Sequence, residues 1–217
     1  MIVLPDTSDA SVVAGGAAQT TLIRGADRVA TPWKNGGGLT REVAAMPPDA
    51  GLDAFTWRVS IAEVAQAGPF SRFPGIDRTL VLLSGAGMLL DETSDSGGAV
   101  VHALTQPLDL ARFAGEAAID ARLVDGATRD LNLMVRRGAA TGTLEIWRSE
   151  GTASQYSLSA DVVLLFCAAG APEVTLGNSA ASVTLASDDT LSIEAPRALT
   201  CTVAAHGVLL SISIRYP

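Results

Sequence analysis

The 217 residues carry 15 Lys+Arg against 23 Asp+Glu, a net charge of −8, and 48% of them are apolar while only 18% are charged. So much apolar side chain excludes a disordered chain, and an acidic balance without a basic stripe excludes nucleic acid, whose phosphates need clustered Lys and Arg. No apolar run approaches the roughly 18 residues that span a bilayer; the longest, Val162 to Pro172, is broken by Gly170.

In chain order, residues 1–20 are rich in Ala, Ser, Gly and Asp, without the basic start and sustained apolar core of a signal peptide. They are expected to form an N-terminal extension, and the chain is expected to be cytoplasmic. Phe55, Trp57, Val59 and Ile61 then alternate with Thr56, Arg58, Ser60 and Ala62, the period of a strand. Ser60–Ala67 has room for one helical turn at most. Further strands are predicted over Thr79–Leu83, Val100–Leu104, Leu108–Phe113, Ile119–Val124 and Leu131–Arg136. The second half adds Thr143–Arg148, Val162–Cys167, Glu173–Leu176, Ser182–Leu185, Thr190–Glu194, Thr200–Ala204 and Val208–Arg215. Gly, Pro, Asn and Asp separate these runs as turns require, so an all-β fold of sandwich or barrel type is expected. Cys167 and Cys201 sit in such runs. They read as buried free thiols, with a disulfide between them as the alternative.

A faint repeat sets the domain count. Leu80–Gly87 reads like Val163–Gly170, Leu108–Leu110 then falls near Leu191–Ile193, and Asp130–Arg136 falls on Leu209–Arg215. Three weak matches in one order predict two copies of a small barrel, joined across Arg137–Gly142. The expected division is 1–20, 21–137 and 143–217.

Four segments carry the chemistry. Thr31–Glu42 contains three consecutive glycines, Gly36 to Gly38, beside Trp33, Lys34 and Asn35. Either another group approaches that backbone closely, or it is a loose hairpin plugged by Trp33; no phosphate-loop spacing follows. In Phe55–Glu63, Arg58 and Ser60 share the face opposite Trp57, Val59, Ile61 and Glu63, and face either solvent or a barrel lumen. In Asp130–Arg137, Asp130, Asn132, Met134 and Arg136 share a face that suits a pocket wall, and a solvated outer face accounts for it nearly as well.

The fourth, Gly68–Thr79 running into Leu80–Gly85, has the spacing of the first cupin signature, His-x-His, a Glu five residues on and a later Gly. Ser71 and Phe73 stand at the histidine positions, Arg78 at the glutamate position and Gly85 at the glycine. Hydroxyl, phenyl and guanidinium are not ligands for a divalent metal, and the chain's two histidines, His102 and His206, lie far apart. No metal or other cofactor is therefore expected.

Pro32–Glu42, Phe55–Glu63, Gly68–Arg78 and Asp130–Met134 together resemble the HutD/Ves family, the likeness running from about Leu22 to Arg137. The resemblance implies a metal-free bicupin of the cupin superfamily, the second barrel degenerate. It implies a role linked to histidine utilisation by sensing an intermediate rather than by catalysis, while Ves-type members are associated with stress responses. Carried onto this sequence, it marks Trp33, Lys34, Asn35, Arg41, Glu42, Arg58, Ser60, Phe73, Arg78 and Asn132 as ligand-binding positions, with no catalytic residue among them.

Four of the motif side chains (Lys34, Arg41, Arg58 and Arg78) are cationic in an acidic protein. Converging, they would suit a small carboxylate such as urocanate or N-formylglutamate. Glu42, Glu63, Asp77 and Lys34 are the remaining acid-base candidates, and the competing readings are a metal-independent cupin isomerase or hydrolase using Glu42, Glu63 or Lys34, and a protein-interaction module. Homodimer formation through a sheet edge is compatible with either.

Overall fold

The computed structural model describes residues 18–93 and 98–217, so most of the expected 1–20 extension lies outside the described residues. Apart from one 3-10 turn, Gly25–Asp27, every regular element among the described residues is a strand. The first are β1 (Thr20–Ile23), β2 (Ala30–Pro32), β3 (Gly38–Met46), β4 (Trp57–Val64), β5 (Gly68–Pro69) and β6 (Ile76–Ser84). There follow β7 (Met88–Thr93), β8 (Ala99–Leu104), β9 (Leu110–Ala114), β10 (Ala118–Leu123) and β11 (Thr128–Arg136). The last are β12 (Thr141–Leu158), β13 (Val162–Gly170), β14 (Glu173–Leu176), β15 (Val183–Thr184), β16 (Thr190–Glu194) and β17 (Leu199–Arg215).

Two compact units result. One holds Arg28–Leu144 with Ile214–Pro217; the other holds Glu145–Ser213 with the described residues up to Asp27. In the first, a six-stranded sheet of order β2-β3-β4-β11-β6-β9 and a four-stranded sheet of order β5-β10-β7-β8 enclose one core. Ala62, Val64, Leu80, Leu82 and Phe113 from the larger sheet meet Met88, Leu90, Leu104, Ile119 and Ala121. The second unit is built on a sheet of order β1-β16-β13-β17-β14-β15, with β12 also on β17. Its core includes Trp147, Leu165, Cys167, Leu191, Cys201 and Leu209. Both cysteines are free and buried, and burial pushes their thiols up to about 11 at Cys167 and about 12 at Cys201.

The repeat is structural as well as sequential. Its three segments form β6, β9 and β11 in one half and β13, β16 and β17 in the other, and the sheet orders β9-β6-β11 and β16-β13-β17 correspond.

Four strand expectations need correction. Ser60–Val64 is strand within β4, not a helical turn. Thr200–Ala204 and Val208–Arg215 are one strand, because Gly207 continues the backbone where a Cβ would lie 2.5 Å from the Pro172 ring. The strand expected over Thr143–Arg148 runs on to Leu158. Thr20–Ile23, at the start of the expected first barrel, pairs with β16 instead.

Asp189 anchors that pairing. Its carboxylate accepts from Arg24 Nη1 at 2.7 Å, Gly25 N at 2.9 Å and Ala186 N at 3.2 Å. Burial alone would raise its pKa, but these hydrogen bonds outweigh it and hold the carboxyl below the usual range. Because the folded pKa is depressed, this stabilisation is present at neutral pH and lost as pH falls through that lowered value. Asp189→Ala is expected to cost about 2 kcal/mol in urea unfolding at pH 7 and clearly less near pH 3.

Candidate functional site

Strand register decides which side chains face the enclosed core of the Arg28–Leu144 unit. On β11, Asp130 lies opposite Ala62 and Leu82, Asn132 opposite Ser60 and Leu80, and Met134 opposite Arg58 and Arg78. Residues directly opposed share a face, so Arg58, Ser60, Arg78, Asp130 and Asn132 join Leu80 and Leu82 on the core side. Two bulges flank this polar strip. Val43 is the extra residue of β3 where its register with β4 shifts between Glu42 and Ala44, and Leu83 is that of β6 opposite Arg129 and Asp130. The first leaves Glu42 opposite Ser60 and on the same inner face.

At one end, Arg58 Nε donates to Glu42 Oε2 at 2.7 Å and its Nη1 to Ser60 Oγ at 3.1 Å. Arg58 is thus a neutralised cation. Arg78 is different. It is 7% exposed, with its guanidinium carbon 5.0 Å from the Phe113 ring centroid, 5.4 Å from Phe70 and 5.6 Å from Phe73. Phe113 is its direct cross-strand neighbour on β9. Phe70 and Phe73 come from the loop after β5, held by Phe70 N to Ile119 O at 2.9 Å and Phe73 N to Gly115 O at 2.7 Å. Its one hydrogen bond to protein is a long one, Nη1 to Ser71 O at 3.4 Å, and its buried Nε has none. Burial lowers its pKa to about 10, opposed by the charge of Asp130, so it stays charged at neutral pH.

Asp130 is 1% exposed and neither carboxylate oxygen has a hydrogen-bond partner. Burial pushes its pKa up to about 7 against the field of Arg78. Asn132 Oδ1 and Thr128 Oγ1 are also buried without partners. Such a run of unpartnered polar oxygens, beside a guanidinium whose Nε has no acceptor, is costly in a packed core and is what a bound polar molecule would satisfy.

The expected positions therefore divide. Glu42, Arg58, Ser60, Phe73, Arg78 and Asn132 converge on the inner face. Trp33 packs against the edge of that core and donates from Nε1 to Thr40 Oγ1 at 2.7 Å. Lys34 and Asn35 are exposed in the β2–β3 hairpin turn, where Asn35 Oδ1 accepts from Gly37 N at 3.0 Å. Arg41 lies on the opposite face of the sheet, ion-paired with Glu63. Asp130, Thr128, Phe70 and Phe113 complete the site without having been assigned to it. Period-two spacing from Asn132 was the available signal for the first two, and only sheet pairing brings in Phe113. A shallow cavity of about 140 Å³ lined by Thr79, Leu133 and Val135 opens on the other face.

The residues at the cupin metal positions do not fit a metal. The Arg78 guanidinium would repel a divalent cation, Phe73 and Ser71 offer it no nitrogen or carboxylate, and among the described residues no group of three His, Cys, Asp or Glu could hold one.

Among the described residues no helix is long and apolar enough to cross a membrane. Comparison with known proteins agrees with the motifs. The HutD family model matches residues 25–211. An uncharacterized 21.2 kDa protein of the hutC 3′ region of Pseudomonas putida is 37% identical over 158 residues, 73% of this chain and 78% of the relative. Protein Ves of Citrobacter koseri is 43% identical over 108 residues, about half of each chain (48% and 52%). The structure of HutD from Pseudomonas fluorescens SBW25 superposes with a TM-score of 0.75 at 29% identity, covering 91% of this chain and 99% of that one. A mutant of the bicupin oxalate decarboxylase of Bacillus subtilis, at a TM-score of 0.63, 8% identity and coverage of 90% and 76%, shares the fold. The fold is that of a bicupin, and the chain belongs to the HutD/Ves family.

Proposed function

We propose that the inner face of the Arg28–Leu144 unit binds a small organic carboxylate, and that the chain is a non-catalytic cytoplasmic protein that senses or buffers an intermediate of histidine utilisation. Urocanate and N-formylglutamate are the candidates. The observation that carries this reading is Arg78: a buried, charged guanidinium with a free Nε and no ion pair, where Arg58 is already neutralised by Glu42. A carboxylate would supply the charge-assisted hydrogen bonds that Arg78 lacks. The genomic setting named for the Pseudomonas putida relative supports the pathway.

The test is a thermal-shift and calorimetry panel of urocanate, N-formylglutamate, histidine, glutamate and neutral sugars. At about 100 times Kd a ligand adds about 2.7 kcal/mol, which is roughly 5 to 10 °C for a chain of this size. Arg78→Met keeps most of the volume among the three phenyl rings and removes the charge. It is expected to weaken carboxylate binding by about 10- to 100-fold. A panel in which no carboxylate moves the melting temperature refutes the reading.

One observation favours a metal-independent enzyme as the second reading: Asp130, buried with a pKa near 7, is poised for proton transfer. Consumption of a candidate carboxylate by concentrated protein, lost in Asp130→Asn, would establish it.

A further inference from the structure

The unpaired guanidinium of Arg78 is only one end of the site. Arg78 is anchored opposite Met134, and Asp130 lies four residues further along β11, about 13 Å of strand. The long arginine side chain closes part of that span, close enough for its charge to act on Asp130, yet no oxygen of Asp130 receives a hydrogen bond from it. Between them Asn132 presents an unpartnered Oδ1 on the same face. The strip therefore changes character along its length. It begins with a donor that has no acceptor, Arg78 Nε. It ends with oxygens that have no partner: Asn132 Oδ1 and both oxygens of Asp130, which can only accept when Asp130 is ionised, and the Thr128 hydroxyl. The flanking side chains opposite Asp130 are Ala62 and Leu82, which can supply no donor either.

A ligand that is only an anion completes the first end and aggravates the second. It cancels the Arg78 charge that favours an ionised Asp130, and a second carboxylate on the ligand would be accommodated only by protonating that residue, whereas an N–H is accepted by either form. The pattern is complementary to a molecule with a carboxylate at one end and a nitrogen bearing hydrogen at the other. Resting on the carboxylate reading above, we infer that Asp130 contacts the ligand directly, accepting from a ring or amine N–H, and that the site takes a small amphoteric molecule rather than a dicarboxylate. Of the two candidates, urocanate fits this, its ring N–H lying at the end away from its single carboxylate; N-formylglutamate also carries an N–H, on its formamide, but a second carboxylate sits on the adjacent carbon and would be brought against Asp130 with it.

Calorimetric titration of the full chain at pH 7.5 with three probes tests it: urocanate, 3-(2-furyl)acrylate (a carboxylate of similar shape whose ring has no N–H) and glutarate. Wild-type protein is expected to bind urocanate at least 10-fold more tightly than either of the others. Asp130→Asn, which keeps size and shape, is expected to shrink the urocanate-to-furylacrylate ratio below about 3-fold. Asp130→Leu should erase it while leaving furylacrylate binding intact, and Arg78→Met should weaken both acids alike. A purely structural Asp130 would not move that ratio. Equal wild-type affinity for urocanate and furylacrylate, or an unchanged ratio in a folded Asp130→Asn, overturns the amphoteric assignment and leaves carboxylate binding standing. Failure of all three acids to bind removes the carboxylate reading itself, and this inference with it.

Discussion

Asp130→Asn is expected to gain about 4 kcal/mol of stability over wild type between pH 4 and pH 8, although it removes a charged residue from a core. The carboxyl has no hydrogen bond to lose, and its pKa is raised from 3.8 to about 7 by burial, with Arg78 opposing. With the folded pKa above the unfolded one, the folded state holds the extra proton between those values, so wild-type stability falls as pH rises through that window. A difference of one in pKa between the folded and unfolded chain corresponds to about 1.4 kcal/mol, and the whole window therefore to about 4 kcal/mol. Near pH 4 the neutral acid and the amide are close in shape and polarity, and the two proteins should have similar stability. Above about pH 7 the difference should level off. Of the other charges on this face, Arg58 and Glu42 neutralise each other in both proteins, and the attraction of Arg78 for the ionised carboxylate, present only in wild type, is already contained in the pKa of about 7. Urea unfolding of both at pH 4.5, 6, 7 and 8 measures it, and a difference that does not grow with pH would show that Asp130 is stabilised as a carboxylate. Asp189 works in the opposite sense, its contribution disappearing only in acid, so the two buried aspartates leave separate marks on the pH profile.

Gly38→Ala is expected to cost at least about 3 kcal/mol, while Gly36→Ala, two residues away, costs about 1 kcal/mol. Gly36 sits in the turn at φ +71° with open space around it, so a methyl group there meets only the backbone penalty of the left-handed region. At Gly38 a Cβ would lie 2.3 Å from the Glu63 carbonyl oxygen and 3.2 Å from the Trp33 ring. Neither can retreat easily. Trp33 N donates to Gly38 O at 2.9 Å, and Gly38 stands opposite Val64 on the neighbouring strand. The methyl group would push β3 off β4, and with it Glu42 away from Arg58. Urea unfolding, with Trp33 contributing to the fluorescence signal, ranks the two variants. Equal costs would mean that the triple glycine serves only the turn.

Much of the architecture was legible because a strand buried on one face repeats every two residues. That period marked β4 and β11 and put Arg58 with Ser60, and Asp130 with Asn132, on single faces before any pairing was known. It failed where another signal interfered. β3 begins on the last of three glycines and so reads as a turn, although Gly38 is there for a close approach to β4. β7 ends on the polar run Asp91, Glu92 and Thr93, and only the inward Met88 and Leu90 mark it as strand. The family likeness brought Arg41 to the candidate site beside Glu42. Neighbours on a strand point to opposite faces, so Arg41 pairs with Glu63 on the face of the sheet away from Arg58 and Arg78.

The order of the residues was enough for the all-β class, the two-fold repeat, the placing of Ser71, Phe73 and Arg78 at the cupin metal positions, and the sharing of one face of β11 by Asp130 and Asn132, though not for which face is the inner one. Which of the arginines has its charge paired depends on how the strands pair. Arg58 is quenched by Glu42 because a one-residue bulge at Val43 keeps that glutamate on the inner face, and Arg78 is enclosed by phenyl rings delivered from β9 and the loop after β5. The same holds for Asp130, whose neighbours on both flanking strands are apolar. One cause underlies all three. A side chain's charge is written in the sequence, but the desolvation and partners that set what that charge can do come from residues brought alongside by register, and register is a property of paired strands, not of any one of them.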